Sequence, residues 1–367
     1  MKQNSIFSDD RIVVTLDAGG TNFVFSALMG GSTITDPVST PSNAHDLELC
    51  LTTLKEGFQQ VFDQLLEKPV AISFAFPGPA DYRNGVIGDL VNLPGFMGGV
   101  PLKGILENEF DLPVFINNDG DLFALGEAIG GLLQEINHTL EKLGKPKRYH
   151  NLVGLTLGTG LGGGLVRNDE IAFGDNAIAG EVGLLSSRYR PDVSAEDVVS
   201  TRAVQNSYQQ LSGTTERLMP KDIYDIAMRK QHGNHEAAIQ AFVNFGKSLG
   251  DIIANLVTIT DSCVVIGGGL TGAKDLFMPA VMEQLHLNYI ITNGPNAPRT
   301  NQKVYNLDND QQIQEFFENA TQQVLIPGTD KYVDYFSKPK LAIATSRLGA
   351  SSAISLGAYA YALDQFD

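Results

Sequence analysis

Short apolar runs punctuated by glycine alternate with longer stretches of helical periodicity along this chain. Residues 12–16 (IVVTL) form a β-branched run that ends in DAGGTN, and a second apolar run covers 23–28. Strand, tight turn and strand is the natural reading. Helical spacing over 47–66 precedes a buried-strand candidate at 70–76 and the loop PGPAD at 77–81. NLPG at 92–95 reads as a further loop, 102–110 as a helix, and PVFI at 113–116 as a short strand entering NNDGD and a helix over 122–129. A strand at 152–157 leads into a glycine-rich turn and another apolar run from 165. Residues 222–259 read as a long helical region and 263–266 as a strand before GGGLTGA. Small and apolar residues at helical spacing over 346–363 predict a closely packed helix. Residues 287–340 are polar and irregular, which predicts an insertion or lid. Strands and helices alternating in this order imply an α/β fold, a mixed sheet layered with helices. The paired units VVTLDAGGTNFVFSAL and VGLTLGTGLGGGLV point to a weak internal duplication.

Length and composition narrow the classes. A chain of 367 residues with 43% hydrophobic content suits about two domains with a substantial core in each. Basic residues number 26 against 42 acidic, a net charge of -16, which disfavours nucleic acid and anionic membrane as partners. The richest basic stretch, KPKRYH at 145–150, reads as a solvated loop. Two distant cysteines, Cys50 and Cys263, exclude a disulfide framework and a cysteine-based zinc site, and fit a reducing compartment. No signal-peptide core opens the chain and no long apolar run crosses a membrane, so a soluble cytoplasmic protein is the expectation.

The chemistry turns on GTGLGG at 158–163, which fits G-x-G-x-x-G. A dinucleotide fingerprint needs those glycines to open a helix. Here the following GGLVRNDEIAFG is β-like, so the motif is met and its context is not. A GK[ST] end at 246–248 lacks its leading glycine, which would fall at Ala241, and lies in helical sequence, so it is rejected as a P-loop. What remains is either a pair of ordinary hairpin turns or two turns whose backbone N–H groups face phosphate, with Thr21 and Thr159 adding hydroxyls. Asp17 enters the first turn, where it could hold Mg²⁺ through water. Asp119 follows the PVFI strand; there it (or Asp121) caps a helix, or it serves as general base for a substrate hydroxyl.

Together these motifs resemble the ROK family of sugar kinases, within the actin-like ATPase superfamily, over nearly the whole chain and most weakly over 287–340. The family's D-x-G-G-T stands as DAGGT, its L-G-T-G-x-G-G-G as LGTGLGGG, its P-G-P loop as PGPAD, its N-L-P-G as 92–95 and its N-D pair as Asn118 and Asp119, followed by ALGEA. The resemblance implies two actin-like (ribonuclease H-like) lobes with an interlobe cleft. One is 1–128 with a returning helix 346–367; the other is 129–345 with the insertion 287–340. It implies phosphorylation of a hexose or N-acetylhexosamine at the 6-hydroxyl by ATP with Mg²⁺, and a homodimer. Asp119 would be the base. Gly78, Asn92, Asn118, Asp119, Glu181 and Glu196 would meet the sugar. Asp17, Gly19, Gly20, Thr21, Asn22, Gly158, Thr159, Gly160, Gly267, Gly268 and Gly269 would meet the nucleotide. Without the resemblance Glu181 and Glu196 read as solvated surface charge.

Departures are as informative. G-E-x-G-H appears as GEVGL, with Leu184 at the histidine, and the cysteine-rich zinc stretch appears as LSSRYRPDVSAEDVVS, without a cysteine. A branch of the family that packs this loop without metal is expected. A sugar- or nucleotide-sensing protein without turnover is the alternative from another class. About a dozen residues precede the first strand, too few for the helix-turn-helix of the family's repressors.

Overall fold

The computed structural model describes residues 6–19, 22–78, 80–89, 95–318, 321–336 and 339–367. The chain divides into two compact units, one of residues 1–135, 163–180 and 347–367, the other of 136–162 and 181–346. The resemblance implies that 129–135 and 163–180 belong to the second lobe; the structure groups both with the first unit. Main-chain packing of Gly163 and Gly164 against Gly120 accounts for the second of these assignments.

Unit 1 is built on strands β1 (Val13–Ala18), β2 (Asn22–Met29), β3 (Ser32–Thr33), β4 (Val38–Pro41), β5 (Ala71–Ala75) and β6 (Val114–Asn117). Their order is β3-β2-β1-β5-β6, with β4 also on β2. β1 and β2 form an antiparallel hairpin, while β5 and β6 run parallel to β1. All five residues of β5 are buried, as a central strand covered on both faces requires. The helix Leu47–Phe62 starts where the Asp46 side chain accepts from Leu49 N–H, and it buries Cys50, Leu54, Phe58 and Val61, a single stripe at helical spacing. Phe58 meets Phe25 edge-on at 5.0 Å. Gly57 leaves room for that ring, since an added Cβ would sit 2.3 Å from it.

Two helices carry the rest of unit 1. Asp119–Gly130 follows β6, and Ala350–Asp364 packs on it. At Gly126 an added Cβ would lie 1.9 Å from the Ala353 carbonyl oxygen, and at Gly357 one would lie 2.0 Å from that of Leu122. This main-chain contact is the reason for the small residues read in the tail. Glu127 is buried and fastens both helices: Oε1 accepts from the N–H groups of Arg347 and Leu348, and Oε2 from that of Leu132.

Unit 2 holds the sheet order β7-β9-β11-β10, where β7 is Leu152–Leu157, β9 Cys263–Gly267, β10 Lys303–Asn306 and β11 Lys340–Thr345; strand β8 (Leu161–Arg167) starts at the end of the 136–162 segment and continues in unit 1. β7, β9, β11 and β10 are parallel. The long helix His235–Thr260 begins at the Asn234 cap and buries most of its length. Gly246, in the rejected GK[ST] segment, sits mid-helix with a would-be Cβ 2.3 Å from Phe277 O, so its role is helix packing. The expectation that 287–340 is irregular is corrected. β10 lies in the main sheet, Asp310–Phe317 is a helix, and Thr321–Leu325 pairs with Tyr332–Phe336 as a hairpin. A four-residue strand between polar flanks is too short to show periodicity. Burial pushes the Cys50 thiol up to about 11 and that of Cys263 to about 12, so both pack as small hydrophobes. Among the described residues no helix is long and apolar enough to cross a membrane.

Candidate active site

In unit 1, β6 delivers Asn117 and Asn118 to the start of the helix Asp119–Gly130. Asn118 is the N-cap, its Oδ1 accepting from Gly120 N–H at 2.8 Å; Asp119 is the first helical residue, its Oδ1 accepting from the same N–H at 2.9 Å. Capping therefore falls chiefly to Asn118. Asp119 is exposed. Its pKa is nonetheless raised above the ordinary carboxylate value, first by desolvation and also by the charge of Asp17, against the lowering effect of the Gly120 N–H. Neighbouring protein atoms thus desolvate a carboxyl that still reaches the surface.

The helix start is seated on main chain. An added Cβ at Gly120 would lie 2.3 Å from Gly163 O, and one at Gly164 would lie 2.1 Å from Gly120 O. Gly180, at φ +97°, closes on Gly163 from the other side at 3.1 Å. Asn118 is held further by Tyr82, a residue the sequence reading missed. Asn118 Nδ2 donates to Tyr82 Oη at 3.4 Å, and Tyr82 Oη donates to the Phe76 carbonyl at 3.0 Å. Gly78 lies directly over that phenol, its would-be Cβ 2.9 Å from Oη. Nothing in the motif PGPAD signals a tyrosine just behind it.

Asp17 is half-buried at the end of β1, paired in register with Val24. Gly19 folds the turn back tightly, with a would-be Cβ 2.8 Å from Asn22 O, and Asn22 is exposed. Gly20, Thr21 and Asn92 lie outside the described residues. Among the described residues no group of three or more potential ligands forms a metal cage. Asp17 nonetheless offers the hard oxygen donor that suits a cation taking its remaining ligands from phosphate and water.

In unit 2 the turn after β7 is closed by Gly158 N–H on Gly160 O at 3.1 Å. Gly158 O accepts from both the N–H and the hydroxyl of Thr201, which starts the helix Thr201–Ser212. Gly158 has open space where a Cβ would be, and Thr159 is exposed. The run continues as strand β8, so the helix that a dinucleotide fingerprint demands does not follow. After β9, Gly268 adopts φ +91° and presses its main chain on Leu157, with a would-be Cβ 2.3 Å from Leu157 O. Gly269 again faces open space. Gly267 ends β9, in register with Thr156 of β7.

Glu196 lies beneath this turn: its Oε2 accepts from Leu161 N–H at 3.3 Å, and it pairs with Arg202 at 3.3 Å. Glu181 is exposed and precedes a single 3-10 turn whose last residue, Leu184, is 80% exposed. The stretch that carries the zinc motif in the resembling family is a hairpin of Ser186–Ser187 with Arg190–Ser194. It is anchored by Arg188 N–H on Asp251 Oδ2 at 3.0 Å and by Tyr189 Oη on Gln284. Asp251 is paired in turn with Arg299, both side chains at most 3% exposed. A buried ion pair thus serves the loop as anchor.

Comparisons with known proteins bear on this geometry. A model of the ROK family matches residues 13–305. Glucokinase of Halalkalibacterium halodurans is 28% identical over 304 residues, 75% of this chain and 85% of that protein. N-acetyl-D-glucosamine kinase of Vibrio cholerae is 28% identical over 275 residues, 70% of this chain and 83% of that one. The crystal structure of glucokinase from Parabacteroides distasonis superposes with a TM-score of 0.87 at 45% identity, covering 98% of this chain and 99% of that one.

Proposed function

The chain belongs to the ROK family, and on that premise we propose that it phosphorylates the 6-hydroxyl of a hexose or an N-acetylhexosamine. It is an ATP-dependent sugar kinase. The observation that carries the finer reading is Asp119. It is an accessible carboxylate, raised in pKa, on a helix start clamped by glycine main chain. In the proposed step the sugar oxygen bonds to the γ-phosphorus as its proton passes to Asp119 Oδ2, and the phosphorus–oxygen bond to ADP breaks. Gly78, Asn92, Asn118, Glu181 and Glu196 are proposed for the sugar. Asp17, Gly19, Gly20, Thr21 and Asn22 in unit 1, and Gly158, Thr159, Gly160, Gly267, Gly268 and Gly269 in unit 2, are proposed for ATP. Mg²⁺ would neutralise phosphate charge, with Asp17 reaching it through water. Because Glu196 already accepts from Leu161 N–H, its contact with sugar would use its remaining oxygen capacity.

A cytoplasmic homodimer goes with this reading, and sedimentation of the purified chain tests the dimer. A second reading, a sugar sensor without turnover, is favoured by the exposed Leu184 where the family motif has histidine. Coupled ADP release across a panel of hexoses and N-acetylhexosamines separates the two. Turnover with one of them, lost in Asp119→Ala with ATP binding kept, supports the kinase with its base. Sugar binding by calorimetry without ADP release anywhere in the panel supports the sensor.

A further inference from the structure

A cavity of about 190 Å³ lies within unit 1 along β6, the edge strand that leads to Asn118 and Asp119. Its wall includes Tyr82, Arg83, Lys103, Asn117 and Tyr361, and no carboxylate. In a chain with a net charge of -16 that selection of side chains stands out. Arg83 forms no ion pair among the described residues, and Lys103 reaches Glu107 only at 3.9 Å. Asn117 is 3% exposed, and its Nδ2 is buried with no hydrogen-bond partner. The two cations share the wall because Gly85, at φ +64°, lets its turn press on the adjoining helix: a would-be Cβ falls 2.1 Å from Lys103 Cβ, and Lys103 N–H donates to Gly85 O.

A second cavity of about 450 Å³ shares Arg83, Phe173, Tyr361 and Gln365 with the first. Its wall adds Asp169, Glu170 and Asp364. Donors and cations on one side and carboxylates with an aromatic face on the other match two halves of a ligand. An amide N–H and two cations suit a phosphate dianion, while carboxylates accept from hydroxyl groups.

We propose that these paired cavities form a second, regulatory site for a sugar phosphate, lying in unit 1 apart from the reacting groups. Tyr82 links the two, since it lines the smaller cavity and its Oη accepts from Asn118 Nδ2. An occupant there would alter the hold on Asn118 and so the KM for sugar. The proposal rests on the sugar-kinase reading only for the identity of the ester, because that reaction makes one.

The test is calorimetry of the full chain with a hexose 6-phosphate, and separately with inorganic phosphate, in the presence of saturating free sugar and ATP analogue. The ester is expected to bind under those conditions, more tightly than inorganic phosphate. Arg83→Gln with Lys103→Gln is expected to weaken it about tenfold or more, the scale of lost hydrogen bonds to charge. Turnover without added ester should stay within about twofold in that variant, and the ester's effect on KM should vanish. No binding, displacement by sugar or nucleotide, equal affinity for inorganic phosphate, or unchanged binding in the double variant would each overturn the proposal. Arg83→Gln alone, at an exposed position, covers the case in which the double variant folds poorly. Calorimetry needs no turnover, so failure of the kinase reading would show separately, as absent ADP release.

Discussion

Glycine does opposite work around Asp119 in unit 1 and around Gly158 in unit 2. Near Asp119, Gly120, Gly164, Gly126 and Gly357 have main chain so close that an added Cβ would fall 1.9–2.3 Å from a carbonyl oxygen. Near the other turn, Gly158 and Gly269 face open space, and Gly268 between β9 and Gly269 is the one that packs on Leu157 main chain. The single motif LGTGLGGG is therefore two devices in series. Its first half leaves Gly158 open while Gly160 meets the Glu196 carboxylate; its second half packs on the start of the helix that presents a carboxylate. Closeness gives the carboxylate a fixed position, and bareness leaves room for a ligand.

That contrast can be broken most severely at the carboxylate itself. Asp119→Asn is expected to lower kcat about 10²- to 10⁴-fold, the usual contribution of a positioned base, with sugar affinity by calorimetry little changed. Survival of most of the turnover would remove Asp119 from the chemistry. Next come the glycines, and here the two regions should part. Gly120→Ala or Gly164→Ala is expected to cost about 2–4 kcal/mol in urea unfolding, as forced overpacking against main chain does. Gly158→Ala should leave stability within about 0.5 kcal/mol yet raise the KM for ATP. Equal stability losses at Gly158 and Gly164 would erase the distinction.

The pH dependence sharpens the comparison on the unit 1 side. The base must be deprotonated, and its pKa is raised, so kcat/KM should fall with acid along a limb centred above about 3.9, the free carboxyl value. Stability runs with the opposite sign. The folded state holds the Asp119 proton more tightly, so stability is lost as pH rises from the unfolded value through the folded one. Asp119→Asn should therefore melt higher than the parent at neutral pH, and no gain would count against the raised pKa. The smallest effect is expected at Leu184→His, which restores a donor; a gain of one hydrogen bond is worth about 0.5–1.5 kcal/mol, read as a lower KM for sugar. An unchanged KM would remove position 184 from the sugar's surroundings.

What the chain discloses before folding follows from pattern strength. β7 and the helix Leu102–Phe110 fall at the positions their apolar spacing predicts, because each is long enough for a period to show. β10 escapes notice, being four residues in which only Val304 and Tyr305 are buried. The split role of the glycines is equally hidden: Gly160 and Gly164 look alike in sequence, while one faces the Glu196 carboxylate and the other the Gly120 carbonyl. Tyr82 and the Asp251–Arg299 pair act through partners distant in the chain, so no local spacing announces them.

Unit 1 takes the helix Ala350–Asp364 from a segment that follows all of unit 2 in sequence, and there Tyr359 Oη accepts from Gly30 N–H. During synthesis, everything unit 2 needs leaves the ribosome before unit 1 can be completed. The earlier-made β1–β6 region must then wait with the seat of that helix uncovered, a long-range closure that slows folding and leaves apolar surface open to aggregation. Removing that helix would therefore spoil unit 1, although its strands precede unit 2 in the chain.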